Sequence, residues 1–145
     1  MAIGYWLLAI SAYCFYRKKP FFVQTDTDLK IMLIFASKSM AMEEKVINEI
    51  KQTLLLNLPS GGHALLYGSR ARGDAHAGSD WDILIILDKE KLLPEDYDSV
   101  SYPLRELGWE IGESINPVMY TAKEWQDNSF TPFYHNVIDD AIPLA

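Results

Sequence analysis

The sequence predicts an α/β (α+β) domain in which helices flank a small mixed β-sheet. Two apolar runs, "HALLY" (63–67) and "WDILIIL" (81–87), have the composition of buried strands and are separated by a polar, glycine-rich segment. A helical pattern precedes them, and a third strand-like run with a helix-capping signature follows. Helical and extended segments that alternate in this way are typical of a sheet covered by helices.

Length, composition and charge limit the classes of protein to consider. With 145 residues, of which 49% are hydrophobic, the chain can form one domain with a core but not two ordinary ones. The one cysteine, Cys14, excludes an internal disulfide framework and is typical of a reducing, cytoplasmic compartment. The net charge of −7 argues against extended nucleic acid as a partner, because such proteins carry a basic face.

The first 39 residues differ from the rest of the chain. They are hydrophobic and basic, whereas acidic residues prevail after Met40. The apolar run before Arg17 is shorter than the roughly 20 residues that span a membrane, and its basic residues follow it, unlike those of a secretory signal. We therefore expect residues 1–39 to be a leader outside the functional domain, which occupies residues 40–145. An over-early start explains this leader best; a weak membrane anchor and a docked extra element are the alternatives.

The first elements of the domain follow from apolar spacing. Residues 42–58 carry apolar side chains at helical intervals, and the turn residues 59–62 end this helix. The run 63–67 is then a buried strand that ends at Gly68. The run 81–87 is apolar without alternation, which predicts a strand in the middle of the sheet, covered by other elements.

Prolines and a capping box organise the second half. Residues 92–107 show a weaker helical pattern, in which Pro94 suits the first turn and Pro103 interrupts the helix. The run 114–120 predicts a third strand, placed at an edge or made irregular by Pro117.

A helix then begins at the capping box "TAKE" (121–124) and carries Trp125 inward. We expect mixed turn and short-strand structure in the closing segment, 131–144.

Two like charges stand at the beginning of the predicted central strand. Asp80 and Asp82 are two residues apart, so their side chains share one face, about 6.6 Å apart along the backbone. Two carboxylates a few ångströms apart repel by roughly 3 kcal/mol at an effective dielectric near 20. One divalent cation, or two of them about 4 Å apart, would compensate this repulsion. The pair therefore predicts a site for Mg²⁺, which favours one or two carboxylates together with phosphate oxygens.

Candidate phosphate ligands follow the preceding strand. Gly68 lets a ligand approach the backbone closely, and the Ser69 hydroxyl can bind a phosphate oxygen. Arg70 and Arg72 can supply positive charge to a phosphate chain. A plain turn and a solvated basic face are the structural alternatives for these four residues. Phosphate ligands beside a metal site suit nucleotidyl transfer, in which an incoming nucleophile displaces pyrophosphate.

The segment "GSRARGDAHAGSDWDILI" resembles the signature of the DNA polymerase β-like nucleotidyltransferase superfamily, which is Gly-Ser, ten intervening residues and Asp-x-Asp. The chain is most similar to its minimal one-domain members, over roughly residues 42–145. The resemblance implies a palm-like nucleotidyltransferase fold, Mg²⁺ as cofactor, and ATP or another nucleoside triphosphate as substrate. It implies that Gly68 and Ser69 bind the triphosphate, and that Asp80 and Asp82 are the metal-binding catalytic carboxylates.

The third carboxylate of the superfamily is missing at its expected place. The resemblance puts Asn116 there, and a neutral amide cannot act as a general base. Glu113 lies three residues earlier and could substitute only if the strand register differs.

Proteins that resemble this chain are often encoded beside a HEPN-domain toxin and act as its antitoxin, in some cases by adding AMP to it. The resemblance thus implies transfer of AMP from ATP to a HEPN partner protein. We expect no membrane as a partner, and the sequence is compatible with a homo- or hetero-oligomer without fixing the oligomeric state. The alternative is a binding module of the same fold that neutralises its partner by docking, its chemistry weakened or lost through Asn116. A glycosyltransferase also uses Asp-x-Asp, but we expect a longer nucleotide-binding domain before the motif in that class.

Overall fold

The computed structural model describes residues 26–76 and 78–145, which form helices and one four-stranded mixed sheet. The strands are β1 (His63–Tyr67), β2 (Trp81–Leu87), β3 (Ile115–Thr121) and β4 (Ile142–Pro143). The helices are α1 (Asp26–Asn57), α2 (Ser69–Arg72), α3 (Pro94–Asp96), α4 (Tyr102–Ile111), α5 (Ala122–Asp127) and α6 (Pro132–Asp140), with a π-helical turn at Tyr97–Ser101. The predicted α+β class is confirmed.

The chain divides into two compact units, Met1–Ile47 and Asn48–Ala145. Residues 1–25 of the first unit lie outside the described residues, and most of the predicted leader lies there. The boundary at residue 40 therefore stays a prediction. Within the described ranges, no helix is long and apolar enough to cross a membrane.

The sheet places β2 at its centre. The strand order is β3-β2-β1-β4, in which β2 pairs parallel with β3 and antiparallel with β1, and β4 pairs antiparallel with β1. The central position predicted for residues 81–87 is therefore confirmed. β3 lies at an edge of this sheet, as Pro117 in its sequence predicted.

Both faces of β2 are covered, which explains its unbroken apolar sequence. Trp81, Ile83 and Ile85 point to one face and are almost completely buried. Leu84 points to the other face, where it packs in a cluster with Trp125 of α5 and Val137 of α6. Each fully buried side chain of this size stabilises the fold by about 1.5–3 kcal/mol.

Two helix beginnings in the second half follow the predicted capping rules. The Thr121 hydroxyl accepts the Glu124 backbone N–H at 3.1 Å, and the Glu124 carboxylate accepts the Thr121 N–H at 2.9 Å. This capping box starts α5 and turns Trp125 inward, as predicted. Pro94 occupies the first turn of α3. The interruption expected at Pro103 takes the form of a π-helical turn just before α4.

The closing segment corrects the prediction of mixed turn and short-strand structure. Residues 132–140 form the nine-residue helix α6, and only β4 is extended. The Thr131 hydroxyl caps α6 by accepting the Tyr134 N–H at 3.2 Å, and Pro132 occupies its first turn. Burial of Val137 against β2 stabilises a helix whose sequence is rich in weak helix formers.

Candidate active site

Two aspartates at the beginning of β2 form the centre of the site. Asp80 is exposed just before the strand, and Asp82 is half-buried within it. Burial raises the pKa of Asp82, the charge of Asp80 raises it further, and a hydrogen bond from Asn116 opposes both effects. None of the ion pairs within residues 26–76 and 78–145 includes either aspartate. The pair thus concentrates negative charge that the described part of the protein does not neutralise.

Asn116 lies directly beside this pair. The parallel register of β2 and β3 sets Asn116 opposite Asp82. Glu113 precedes β3, where its carboxylate accepts the Trp81 indole N–H at 2.9 Å. The register therefore puts an amide, not a carboxylate, next to Asp82. Such an amide oxygen can bind a cation but cannot take a proton from a substrate.

The end of β1 meets the aspartate pair from the other side. Tyr67 is opposite Asp82 in the antiparallel register, and Gly68 follows it with φ 76°. A Cβ atom on Gly68 would lie 2.7 Å from the Asp82 Oδ2 atom. The Gly68 carbonyl accepts the N–H of Arg72 at 3.1 Å, and α2 begins at the half-buried Ser69. The structure therefore brings the predicted Gly-Ser pair to the Asp-x-Asp pair, with glycine at the point of closest approach.

The two arginines of α2 point to different surroundings. The Arg70 side chain is only 9% exposed and forms an ion pair with Glu113 at 3.6 Å. The Arg72 side chain is exposed and forms ion pairs at 3.4 Å with Asp74 and with Asp140 of α6. Because only Arg72 has a guanidinium open to solvent, it is the better placed of the two to meet a phosphate chain. Phosphate binding by either arginine stays a prediction.

Tyr67 belongs to this site and was not singled out from the sequence. Burial raises its pKa to about 12, with a contribution from the charge of Asp82, so its hydroxyl is protonated at neutral pH. Its ring packs edge-to-face against Phe133 of α6, with the ring centroids 5.4 Å apart. The signal in the sequence was its place as the last residue before Gly68. A hydroxyl that stays protonated is a hydrogen-bond donor beside the aspartates.

The donor set fits a cation that arrives with a phosphate ligand. The described ranges contain no group of three or more His, Cys, Asp or Glu side chains that could hold a metal ion. Asp80, Asp82 and the amide of Asn116 supply oxygen donors only, which suits Mg²⁺. Mg²⁺ is commonly bound by one or two carboxylates together with the phosphates of a substrate. The site therefore has the composition of a metal–nucleotide site whose remaining ligands come from the nucleotide.

The chain is similar in sequence and in structure to known proteins. The family model described as "nucleotidyltransferase domain" matches residues 43–127, a segment that contains the glycine, both aspartates and the asparagine of the site. The chain is 36% identical over 55 residues to a protein adenylyltransferase, MntA, of Aphanizomenon flos-aquae (strain 2012/KM1/D3), and the match covers 34% of this chain and 37% of that protein. The matched segment thus spans little more than a third of that relative.

Among solved structures, the chain is similar to one described as "crystal structure of the toxin-antitoxin with AMP-PNP". The TM-score is 0.48 at 20% sequence identity, and the similarity covers 68% of this chain and 72% of that chain.

Proposed function

This chain belongs to the nucleotidyltransferase domain family, and we propose that it transfers AMP from ATP to a hydroxyl group of a partner protein with the help of Mg²⁺. Its family membership confirms the nucleotidyltransferase enzyme class predicted from the sequence. The observation that best supports the activity is the approach of Gly68 to Asp82, since a Cβ on Gly68 would lie 2.7 Å from the carboxylate. This close approach sets the turn at the end of β1 directly beside the carboxylates that would hold the cation, so that one triphosphate could contact both.

Each site residue has a role in this proposal. Asp80 and Asp82, together with the amide oxygen of Asn116, would hold Mg²⁺, which when bound would neutralise charge on the triphosphate and polarise the phosphorus under attack. Gly68 leaves room for the Asp82 carboxylate beside the turn, and the Ser69 hydroxyl would donate a hydrogen bond to the triphosphate. Arg72 adds positive charge from the solvent side.

The transfer forms a bond between the acceptor oxygen and the α-phosphorus. The bond from the α-phosphorus to the oxygen that bridges to the β-phosphorus breaks, and pyrophosphate leaves with its electrons. Asn116 cannot accept the proton of the attacking hydroxyl. That proton therefore passes to Asp80, Asp82 or solvent. Burial raises the pKa of Asp82, which makes its carboxylate a stronger base than that of an ordinary aspartate.

The proposed partner is a HEPN-domain toxin in the cytoplasm, with this chain as its antitoxin. Support for adenylyl transfer to protein comes from the name of the curated relative, a protein adenylyltransferase. Support for the HEPN partner comes from the resemblance of the signature that runs from Gly68 to Asp82. The same transfer assay, repeated with other nucleoside triphosphates, measures which base the site prefers.

Asn116 favours a second candidate, a binding module that keeps the fold and neutralises its partner by docking. An amide in register with Asp82 leaves the site one negative charge poorer than a carboxylate would. This loss weakens metal binding and removes a general base. Binding of the partner would then continue without transfer.

Labelled ATP distinguishes the two candidates. We would mix the purified chain and the product of the neighbouring gene, the proposed HEPN toxin, with Mg²⁺ and ATP labelled at the α-phosphate, and measure the label on the partner. We expect transfer to fall at least about 100-fold in the double variant Asp80→Ala/Asp82→Ala, a loss comparable to removal of a main electrostatic group. The matched control, Glu95→Ala/Asp98→Ala, removes two exposed acids away from the site and should transfer normally.

Two results would contradict the proposed transfer activity. Equal transfer by the Asp80→Ala/Asp82→Ala variant would show that these carboxylates are not its centre. Absence of transfer from the unaltered chain, with partner and chain still purifying together, would establish the binding module instead.

A further inference from the structure

Arg70 holds the backbone immediately before the aspartate pair. Its Nε and Nη2 atoms both donate to the Ser79 carbonyl, at 3.3 and 3.0 Å. The Ser79 hydroxyl in turn accepts the His76 backbone N–H at 2.9 Å, which closes the turn before it. Two N–H groups on one oxygen fix the direction of the carbonyl as well as its distance, since the guanidinium is planar and rigid.

The same guanidinium also fixes the residue between the two aspartates. Its carbon lies 4.3 Å from the centre of the Trp81 ring, in the arrangement of a cation–π contact. The Trp81 indole donates to the Glu113 Oε2 atom at 2.9 Å, and Arg70 forms an ion pair with the same atom at 3.6 Å. Arg70, Trp81 and Glu113 therefore contact one another in a closed group of three.

This group lies on both sides of Asp80 along the chain. Ser79 precedes Asp80, and Trp81 separates Asp80 from Asp82, so Arg70 contacts the residues on both sides of Asp80 and restrains the backbone there. Arg70 itself belongs to α2, which begins directly after Gly68. One side chain thus ties the proposed phosphate-binding turn to the proposed metal-binding strand.

We propose that Arg70 is a positioning residue that holds Asp80 and Asp82 in the geometry that binds a divalent cation with a nucleotide, and that it is not itself a phosphate ligand. This inference rests on the function proposed above. Carboxylates that share one cation must be held within about 0.5 Å, and residues behind the ligands supply that precision. A lysine offers neither the flat fork nor the same stacking on an indole.

Three measurements test this role with the variants Arg70→Lys and Arg70→Met. Hydrogen exchange of residues 79–82 without metal reports whether the segment is held. Titration of Mn²⁺ in the presence of a non-hydrolysable ATP analogue reports the metal site. Binding of the same analogue in EDTA reports contacts to phosphate alone. Arg72→Met is the contrasting variant, and Arg105→Met, which removes an exposed arginine of α4, is the control.

We expect both Arg70 variants to exchange faster at residues 79–82 and to bind Mn²⁺ about ten-fold more weakly, the usual loss when a group behind a metal ligand is removed. Their binding of the analogue in EDTA should match that of the unaltered chain, whereas Arg72→Met should weaken it. If Arg70→Met does not fold, Glu113→Gln removes one charge of the group and should change the same two measurements in the same direction.

Two results would overturn the inference. Unchanged exchange and unchanged Mn²⁺ binding would show that Arg70 positions nothing. Weaker binding of the analogue in EDTA, to the degree seen for Arg72→Met, would make Arg70 a phosphate ligand. Absence of Mn²⁺ binding by the unaltered chain would contradict the proposed function instead, and the exchange measurement would still decide whether Arg70 holds residues 79–82.

Discussion

The fold shifts the pKa values of two aspartates, one near each end of strand β2, in opposite directions. At its beginning, Asp82 lies half-buried beside Asp80, and burial raises its pKa. Beyond its end, Lys89 donates to the Asp96 carboxylate, which also accepts the Leu93 backbone N–H at 2.9 Å. These two contacts lower the pKa of Asp96, the hydrogen bond from Lys89 having the larger effect.

The difference means that the charge of Asp96 stabilises the folded chain, whereas the charge of Asp82 destabilises it. A lowered pKa means that ionised Asp96 is more stable in the folded chain than in the unfolded one, so its charge stabilises the fold at neutral pH. A raised pKa means the reverse for Asp82. An aspartate such as Asp82, whose charge the fold does not stabilise, is typical of a ligand-binding site.

Loss of the Asp82 charge should have the largest effect on transfer. We expect Asp82→Asn to lower AMP transfer at least about 100-fold and yet to raise the melting temperature at neutral pH without metal. The gain in stability should disappear as the pH falls below the ordinary range of an aspartate, because Asp82 is then protonated in both states. Thermal unfolding between pH 3 and 8 measures this, and a lower melting temperature at pH 7 would contradict it.

A side chain added at Gly68 should disturb Asp82, at the same end of β2. We expect Gly68→Ala to destabilise the chain by about 1–3 kcal/mol, because its φ of 76° with ψ of −156° is a backbone conformation open almost only to glycine, and also to displace the Asp82 carboxylate and reduce transfer. Gly73→Ala is the comparison variant, since Gly73 also has a positive φ, 77°, but has nothing within 4 Å of an added Cβ. Denaturant unfolding should show the larger loss of stability for Gly68→Ala, because Gly73 lies in the ordinary left-handed region, and the transfer assay should show lost transfer in Gly68→Ala alone. Equal transfer by the two variants would refute the contact.

The other end of β2 should respond in stability only. Asp96→Asn removes a charged acceptor from Lys89 and from the Leu93 N–H, and we expect a loss of about 1–2 kcal/mol at neutral pH. This loss should shrink as the pH falls through the lowered pKa of Asp96, where the carboxylate is neutral in any case. Asp98→Asn, at an exposed neighbouring position, should change the free energy of unfolding little. Reduced transfer by folded Asp96→Asn would break the proposed division between the two ends.

A third acid at position 116 should have a smaller effect, and it should increase the negative charge at the beginning of β2. Asn116→Asp places a third negative charge beside Asp82, so we expect a slightly lower melting temperature without metal and tighter Mn²⁺ binding in calorimetric titration. Asn136→Asp, on the exposed side of α6, adds the same charge elsewhere and should do neither. Equal Mn²⁺ affinity in the two variants would show that position 116 lies outside the metal site.

The sequence predicts β2 and its surroundings well because their signals are local. An unbroken apolar run identified the central strand, and the capping box located the beginning of α5. The aspartate pair was visible as a repulsion between neighbours, and the cation that would compensate it stays a prediction. Helix α6 was missed because its aromatic and β-branched residues are weak helix formers, and contact with β2 stabilises it.

The direction of the arginines could not be read from the sequence either. Arg70 and Arg72 are two residues apart on one short helix, so they face different sides of it. Which of them meets Trp81 depends on tertiary contacts, among them those of Glu113, which is distant in the sequence and contacts both Arg70 and Trp81. Tyr67 was overlooked for the same reason, since its neighbour Asp82 comes from another strand.

The pairing of β4 with β1 affects how the protein is made. β1 leaves the ribosome before every other strand of the sheet, whereas β4, which covers its outer edge through pairs such as Leu66 with Ile142, leaves after all of them. Until then the outer edge of β1 presents unpaired N–H and C=O groups, which can template association with other chains. Closure between segments so distant in the chain is also slow. The newly made chain therefore keeps this edge of β1 unpaired with β4 until residues 142–145 reach the sheet.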